Sequence, residues 1–191
     1  MLFRSLFINT GGNSDELRGK GCKKYMFHIE SQNSMYVRTC GRSLMAQGLV
    51  KGKRWYSLTA DYAFGHDLES QTSTVVKAKG GKVLGAVRVP LNNADFSSFL
   101  LQAQASKAKV VGLANAGGDT INAIKQAAEF GITQGGQNLA GLLIFINDIK
   151  ALGLPVAQGL VLTETFYWTR TTPPAPSRSA SPSAPAARCP P

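Results

Sequence analysis

Residues 54–89 read RWYSLTADYAFGHDLESQTSTVVKAKGGKVLGAVRV, and this stretch decides the fold. Arg54 to Thr59 has the short, apolar-rich pattern of a strand. Gly65 to Lys79 follows as a helix and stops at Gly80-Gly81. Lys82 to Val89 is the next strand, closed by Pro90. Strand, helix and strand in that order form a βαβ unit, which makes the two strands parallel and the crossover right-handed.

Downstream the pattern repeats. Asp95 is placed to cap a helix from Phe96 to about Ser106, with Phe96, Phe99, Leu100 and Ala103 on one side. Lys109 to Asn115 is a strand. Asp119 is placed to cap the next helix, where Ile121, Ile124 and Ala128 share a face and Gly131 is the stop. Leu142 to Ile146, entirely apolar, reads as a fourth strand, and Leu160 to Phe166 as a fifth. Short apolar strands alternating with helices give the fold class: α/β, with a doubly wound, mainly parallel sheet covered on both faces. Residues 52–168 are expected to form this unit as one nearly complete lobe.

Upstream the spacing differs. Leu2 to Asn9 reads as a buried strand and Tyr25 to Ile29 as a short one, with the turn-rich Thr10-Gly11-Gly12-Asn13-Ser14-Asp15 between them. Ser34 to Gln47 reads as a helix, stopped by Gly48. Residues 1–50 are therefore expected to be part of a second lobe. After Trp168 the chain turns to Pro, Ala, Ser, Thr and Arg. Residues 169–191 are expected to be a disordered tail, since they lack the apolar side chains to offset ordering entropy. Their composition resembles out-of-frame translation of GC-rich DNA, and a natural disordered tail is the alternative.

Hydrophobic residues are 43% and charged residues 17%, the balance of a soluble globular chain. The N-terminus lacks the charged start, apolar middle and small-residue cleavage site of a signal peptide, so the chain as written is expected in the cytoplasm. The formal net charge of +10 raises the question of nucleic acid. The basic residues are scattered, however, and are densest at Arg18 to Lys24 and Lys51 to Arg54. No basic helix, zinc-finger spacing or aromatic-basic motif accompanies them, so no nucleic-acid partner is expected. Cys22, Cys40 and Cys189 have no paired metal spacing. Cys22 and Cys40 are either a disulfide or two unrelated thiols.

In an open parallel sheet, ligands bind beyond the C-terminal ends of the strands. Three such ends are polar and turn-rich: Thr59 to Gly65, Asn115 to Asp119, and Asn147-Asp148. Tyr62 and Phe64 supply an apolar wall, while Asp61 and Asp148 are acceptors suited to an ammonium group. The competing reading is ordinary βα loops with Asp and Asn as helix caps, which suits Asp119 best. Gly117-Gly118 lacks the rest of any phosphate-loop pattern. His28 and His66 have no companions at metal spacing, and no nucleophile signature is present. Neither a cofactor, a metal nor catalysis is expected.

Trp55 to Glu69, Ala94 to Leu100, Asn115 to Asp119 with its helix to Gly131, Gln158 to Val161, and Phe166 to Trp168 resemble, in order, the second lobe of the branched-chain amino-acid-binding type of periplasmic binding proteins. Asn9 to Asp15 and Tyr25 to His28 resemble the end of the first lobe. The resemblance implies a solute held between two α/β lobes and delivered to an ABC importer's permease, with a periplasmic location for the family. It implies that Gly12, Asn13 and Ser14 hold the solute carboxylate and that Phe64 stacks on the solute. It implies further that Asn115 and Gly117 contribute from the third-strand loop and that Asp148, or Asn147 beside it, takes the amino group. The family's opening βαβ units and its return segments have no counterpart, so a truncated copy unable to work alone is expected. An enzymatic or ligand-sensing domain on the same architecture is the alternative.

Overall fold

The computed structural model describes residues 5–163. Two short strands, β1 (Phe7–Asn9) and β2 (Met26–His28), pair in parallel, with Asn9 opposite His28. A single 3-10 turn at Asp15–Arg18 lies between them. Helix α1 (Asn33–Ala46) leads into the main sheet. There β3 (Arg54–Ala60), β4 (Lys82–Val89), β5 (Val110–Ala114) and β6 (Asn138–Gly141) are ordered β4-β3-β5-β6 and all parallel. Helices α2 (Ala63–Ala78), α3 (Ser97–Ala105) and α4 (Gly117–Glu129) are the crossovers, and α5 (Ile146–Leu152) and α6 (Leu154–Ala157) follow β6.

Side chains along a strand alternate between faces, so each strand feeds two cores. Trp55, Val110 and Ala114 pack with Tyr36, Val37, Cys40 and Leu44 of α1 and with Phe64, Leu68 and Val76 of α2. Leu58, Val111 and Leu113 pack on the opposite face with Phe96 and Leu100 of α3 and Ala123, Ile124 and Ala127 of α4. Strand β4 slips register between its pairings with Trp55 and Tyr56. Val83 accordingly joins the first core and Val89 the second, although both numbers are odd. The expected doubly wound sheet with helices on both faces is what forms. Helix α1, expected beside the first-lobe segments, buries its apolar side on this main sheet.

Several expectations need correction. The fourth strand is Asn138–Gly141, not Leu142 to Ile146. Leu142, Leu143 and Ile144 are buried because they fill a bend over both cores, and an apolar run signals burial without specifying a ladder. A Cβ on Gly141 would lie 2.6 Å from the Ile144 side chain, so a larger residue there would force Ile144 to shift within the bend. The expected fifth strand is represented by one parallel bridge, Ala140 to Val161, and its end lies outside the described residues, as does the tail. Strand β1 is not buried: Phe7 and Ile8 are about half exposed, since a two-stranded ribbon has no layer to cover them. Cys40 is a free, buried thiol and therefore not bridged to Cys22, because α1 points it into the core.

Candidate functional site

The chain runs from β3 outward to β4, then back across β3 to β5. The winding direction therefore reverses between β3 and β5, which opens a crevice at the C-terminal ends of those two strands. The loops after β3 and β5 form its rim.

The β3–α2 loop is fixed by its backbone. Asp61 N–H donates to Val89 O at 2.8 Å, and Tyr62 N–H donates to Ala60 O at 2.9 Å. Helix α2 then starts so close to the strand that a Cβ on Gly65 would lie 2.1 Å from Ala60 O. Asp61 Oδ1 and His66 Nε2 are 2.8 Å apart at the exposed edge. Tyr62, 39% exposed, rests its ring on Phe64 at 5.5 Å between centroids. Phe64 itself is 8% exposed and belongs to the core beneath. Of the two aromatics, Tyr62 is the one with a face toward solvent.

The β5–α4 loop presents Asn115, which is buried. Its Oδ1 accepts from Thr120 Oγ1 at 2.8 Å, while its Nδ2 has no partner. Gly117 has φ of +58°, a conformation that suits glycine and turns the backbone into α4. Asp119 does not cap α4: it lies in the first turn, after the N-cap Ala116, and its Oδ2 accepts from Asn92 N–H at 3.1 Å. Burial raises the Tyr62 phenol pKa, and the Asp119 carboxylate raises it further. The two loops thus meet electrically at Tyr62 and Asp119. In the sequence alone Asp119 has the look of a cap, as any Asp near a helix start does.

The N-terminal turn reaches the same end of the sheet. Asn9 Oδ1 accepts from Gly12 N–H at 2.8 Å, and Asn9 Nδ2 donates to Gly12 O at 3.0 Å. The Gly12 N–H is therefore used to form the turn. A Cβ there would lie 2.7 Å from Leu17. Asn13 O accepts from Asn33 N–H at 2.8 Å, and Asn13 Nδ2 donates to Ser31 O at 3.1 Å. Ser14 Oγ is buried without a partner. Asn33 Nδ2 then reaches Phe64 O (3.3 Å) and Asp67 Oδ2 (2.8 Å), which joins the turn to the β3–α2 loop.

Asp148 stands in the first turn of α5, and its Oδ2 accepts from Phe145 N–H at 2.9 Å. That bond gives the carboxylate a helix-starting role, and Asn147 lies in the same helix. Among the described residues no three His, Cys, Asp or Glu side chains gather in a way that suits a metal ion. No helix among them is long and apolar enough to cross a membrane. The rim offers neutral donors, a phenol, an aromatic face and carboxylates, which suits recognition of a small polar molecule.

The family model described as periplasmic binding protein matches residues 4–181, which includes the start of the Pro-rich segment. The chain belongs to the periplasmic binding protein family. A solved periplasmic binding protein from Burkholderia mallei is 56% identical with a TM-score of 0.80, over 86% of this chain and 43% of that one. A branched-chain amino acid ABC transporter periplasmic ligand-binding protein from Burkholderia xenovorans LB400 is 33% identical with a TM-score of 0.69, over the same shares. The Leu/Ile/Val-binding protein homolog 4 of Brucella abortus (strain 2308) is 27% identical over 128 residues, 66% of this chain and 30% of its own length. This periplasmic binding protein sequence thus spans about 30% of the curated relatives it matches.

Proposed function

We propose that this chain carries the second wall, and part of the first, of the solute cleft of an ABC importer's receptor, with an amino acid or a related small molecule as solute. The observation that carries the reading is the crevice between β3 and β5. There Tyr62 exposes a ring face, Asn115 Nδ2 is buried without a partner, and Asp119 adds a carboxylate. The relative from Burkholderia xenovorans LB400, described as a branched-chain amino acid transporter's ligand-binding protein, supports the solute class.

In this reading residues 1–50 contribute to the first lobe and 52–168 form the second, with α1 packed on the latter. The turn at Gly12, Asn13 and Ser14 faces the solute carboxylate, and the unpartnered Ser14 hydroxyl is its most available donor. Tyr62 and Phe64 make the apolar wall, with Tyr62 on top. Asn115 and Gly117 shape the floor. Of the carboxylates at this end of the sheet, Asp61, Asp119 and Asp148 are the candidates for an ammonium group, and Asp119 is favoured because it stands in the first turn of α4, four residues after the buried Asn115. The partner is an ABC permease and the setting is the periplasm. The chain alone holds solute weakly, because the turn at Gly12 to Ser14 is borne by a two-stranded ribbon. Recognition involves no bond-making chemistry.

The test is a chimera. The matched segment of the Burkholderia mallei relative is replaced by residues 5–163 of this chain, and a panel of amino acids and amides is titrated by calorimetry. Saturable binding by the chimera that falls in Ser14→Ala, Asn115→Ala and Asp119→Asn supports the site. Binding indifferent to all three removes it.

A further inference from the structure

The fold sorts charge along the sheet axis. Asp61, Asp67, Glu69, Asp119 and Asp148 all follow strand ends or lie in the first two turns of the helices that leave them, with Arg88, paired to Glu69 at 2.6 Å, and Lys150 as the cations among them. Basic residues gather at the other end. Lys51, Lys53 and Arg54 lead into β3, Lys77 and Lys79 close α2, Lys82 opens β4, and Lys107 and Lys109 lead into β5. Backbone bonds hold these segments side by side. Gly52 N–H donates to Gly80 O (2.9 Å), Lys82 N–H to Lys53 O (2.9 Å) and Lys109 N–H to Arg54 O (2.7 Å). Arg54 and Lys82 are register partners.

All of these side chains are exposed except Lys53, which is partly buried. Among the described residues, no ion pair engages any of them. Lys109 donates to Gly136 O at 2.6 Å, a neutral acceptor. Glu129, at the end of α4, is the carboxylate that the helix directions bring to this end. Residues Arg18 to Lys24 differ, because Lys20 pairs with the Glu16 carboxylate at 2.6 Å. Complementing a helix dipole accounts for Lys77 and Lys79 at the end of α2. It does not account for Lys51, Lys53, Arg54, Lys82 and Lys109, which stand at strand starts.

We infer that this basic end of the sheet is a second binding surface, which holds the protein against an anionic phospholipid surface while the opposite end takes solute. Charge complementarity and residue type decide the occupant. Lysine dominates the group, and its compact ammonium suits a diffuse layer of headgroup phosphates. Segments 51–54, 77–82 and 107–109 contain no aromatic residue. Protein hot spots and nucleic-acid grooves rely on aromatics and on arginine forks, which argues against those partners. The charges lie on a common end of one rigid sheet, so they can approach a flat surface together.

The test is sedimentation of the full chain with vesicles of phosphatidylcholine, alone or mixed with phosphatidylglycerol. Binding is expected with the anionic vesicles alone and should disappear in high salt, as screening shortens the reach of each charge. Replacing Lys51, Lys77, Lys79 and Lys107 by Gln should lower partitioning about tenfold or more, at roughly one favourable increment per surface charge. The control replaces Arg18, Lys20, Lys23 and Lys24 by Gln, with the same change in net charge, and should leave partitioning within about twofold. Circular dichroism checks that both variants fold, and the milder pair Lys51→Gln with Lys107→Gln serves if the first does not. Absence of binding to anionic vesicles overturns the inference, and so does equal loss in both variants. Binding to a DNA duplex through the same lysines, without vesicle binding, also overturns it. Since solute is absent throughout, these results are independent of the cleft.

Discussion

Asp67 Oδ2 accepts a hydrogen bond from Asp15 N–H at 2.9 Å, which fastens the N-terminal segment to helix α2. The same oxygen accepts from Asn33 Nδ2 at 2.8 Å. One carboxylate oxygen thus ties the turn after β1, the start of α1 and the second turn of α2. Hydrogen bonds to charged groups contribute about 1.5–3 kcal/mol. Asp67→Ala should lower stability by about that amount and release the Asp15 amide. Hydrogen exchange is the measurement, and undiminished protection at Asp15 would show that other contacts hold the turn.

Gly65 is required by packing and not by a turn. Its Cβ position lies 2.1 Å from Ala60 O and 2.9 Å from the Ala60 carbonyl carbon, both backbone atoms. Neither β3 nor α2 can move without disturbing a buried core. Gly65→Ala should therefore cost about 3 kcal/mol or more, the scale of severe overpacking. Urea unfolding of the variant measures it. A loss under about 0.5 kcal/mol, typical of surface changes, would mean that α2 can shift away from the strand.

Burial pushes the Cys40 thiol up to about 11 from 9.0. The unfolded chain therefore releases this proton first as pH rises. Stability from this group is complete below pH 9 and declines until the pH passes about 11. The total is about 2–3 kcal/mol, from 1.36 kcal/mol per pKa unit. Cys40→Ala should flatten that part of the pH–stability curve. Peptide mapping after alkylation at pH 8 should also find Cys40 unmodified in the folded chain and modified in urea.

The alternation of strand and helix was legible because each element is short, one-sided and punctuated by glycine, as at Gly80-Gly81 and Gly131. Lys82–Val89 was bounded correctly since Gly81 and Pro90 mark both ends. The apolar run Leu142 to Ile144 misled, because burial in a bend and burial in a ladder leave the same trace in composition. At the rim, the loops after β3 and β5 were readable from their polar, glycine-rich make-up. Asp119 and Asp148 both stand in the first turn of a helix: Asp119 does not cap α4 and accepts instead from Asn92 N–H, whereas Asp148 accepts from Phe145 N–H at the start of α5. An Asp three residues into a helix has the same local sequence in both cases. The basic end was invisible too, because Lys51, Lys79 and Lys107 are brought together only by the sheet.

Tyr62 and Phe64 should separate by experiment. Phe64 is almost fully buried beneath Tyr62, so Phe64→Ala should cost about 3–5 kcal/mol of stability, as for buried aromatic truncations. Tyr62→Ala, at a half-exposed position, should change stability by about 1 kcal/mol or less. In the chimera, Tyr62→Ala should weaken solute binding by about 1–3 kcal/mol through loss of apolar contact. Unchanged affinity in Tyr62→Ala, together with a folded Phe64→Ala that fails to bind, would return the stacking role to Phe64.

The 191-residue chain by itself should bind amino acids only at millimolar concentrations or above. The proposed cleft needs carboxylate donors on one wall and an ammonium acceptor on the other, held at a fixed separation. The second wall rests on a four-stranded sheet with two buried cores. Among the described residues, the strands that flank the turn at Gly12 to Ser14 are β1 and β2, three residues each, with Phe7, Ile8 and Phe27 half exposed. A two-stranded ribbon is marginal in water, so the bonds through Asn33 and Asp67 carry most of the task of positioning Ser14. Ordering that turn on binding offsets part of each new contact. A net affinity on the order of 4 kcal/mol, or a Kd near 1 mM, is the expected ceiling. Titration of the purified chain with amino acids and amides, followed by heat, should show no saturation below that range. A saturable micromolar signal would mean that the short ribbon holds its turn as firmly as a full sheet would, and that these residues suffice as a receptor.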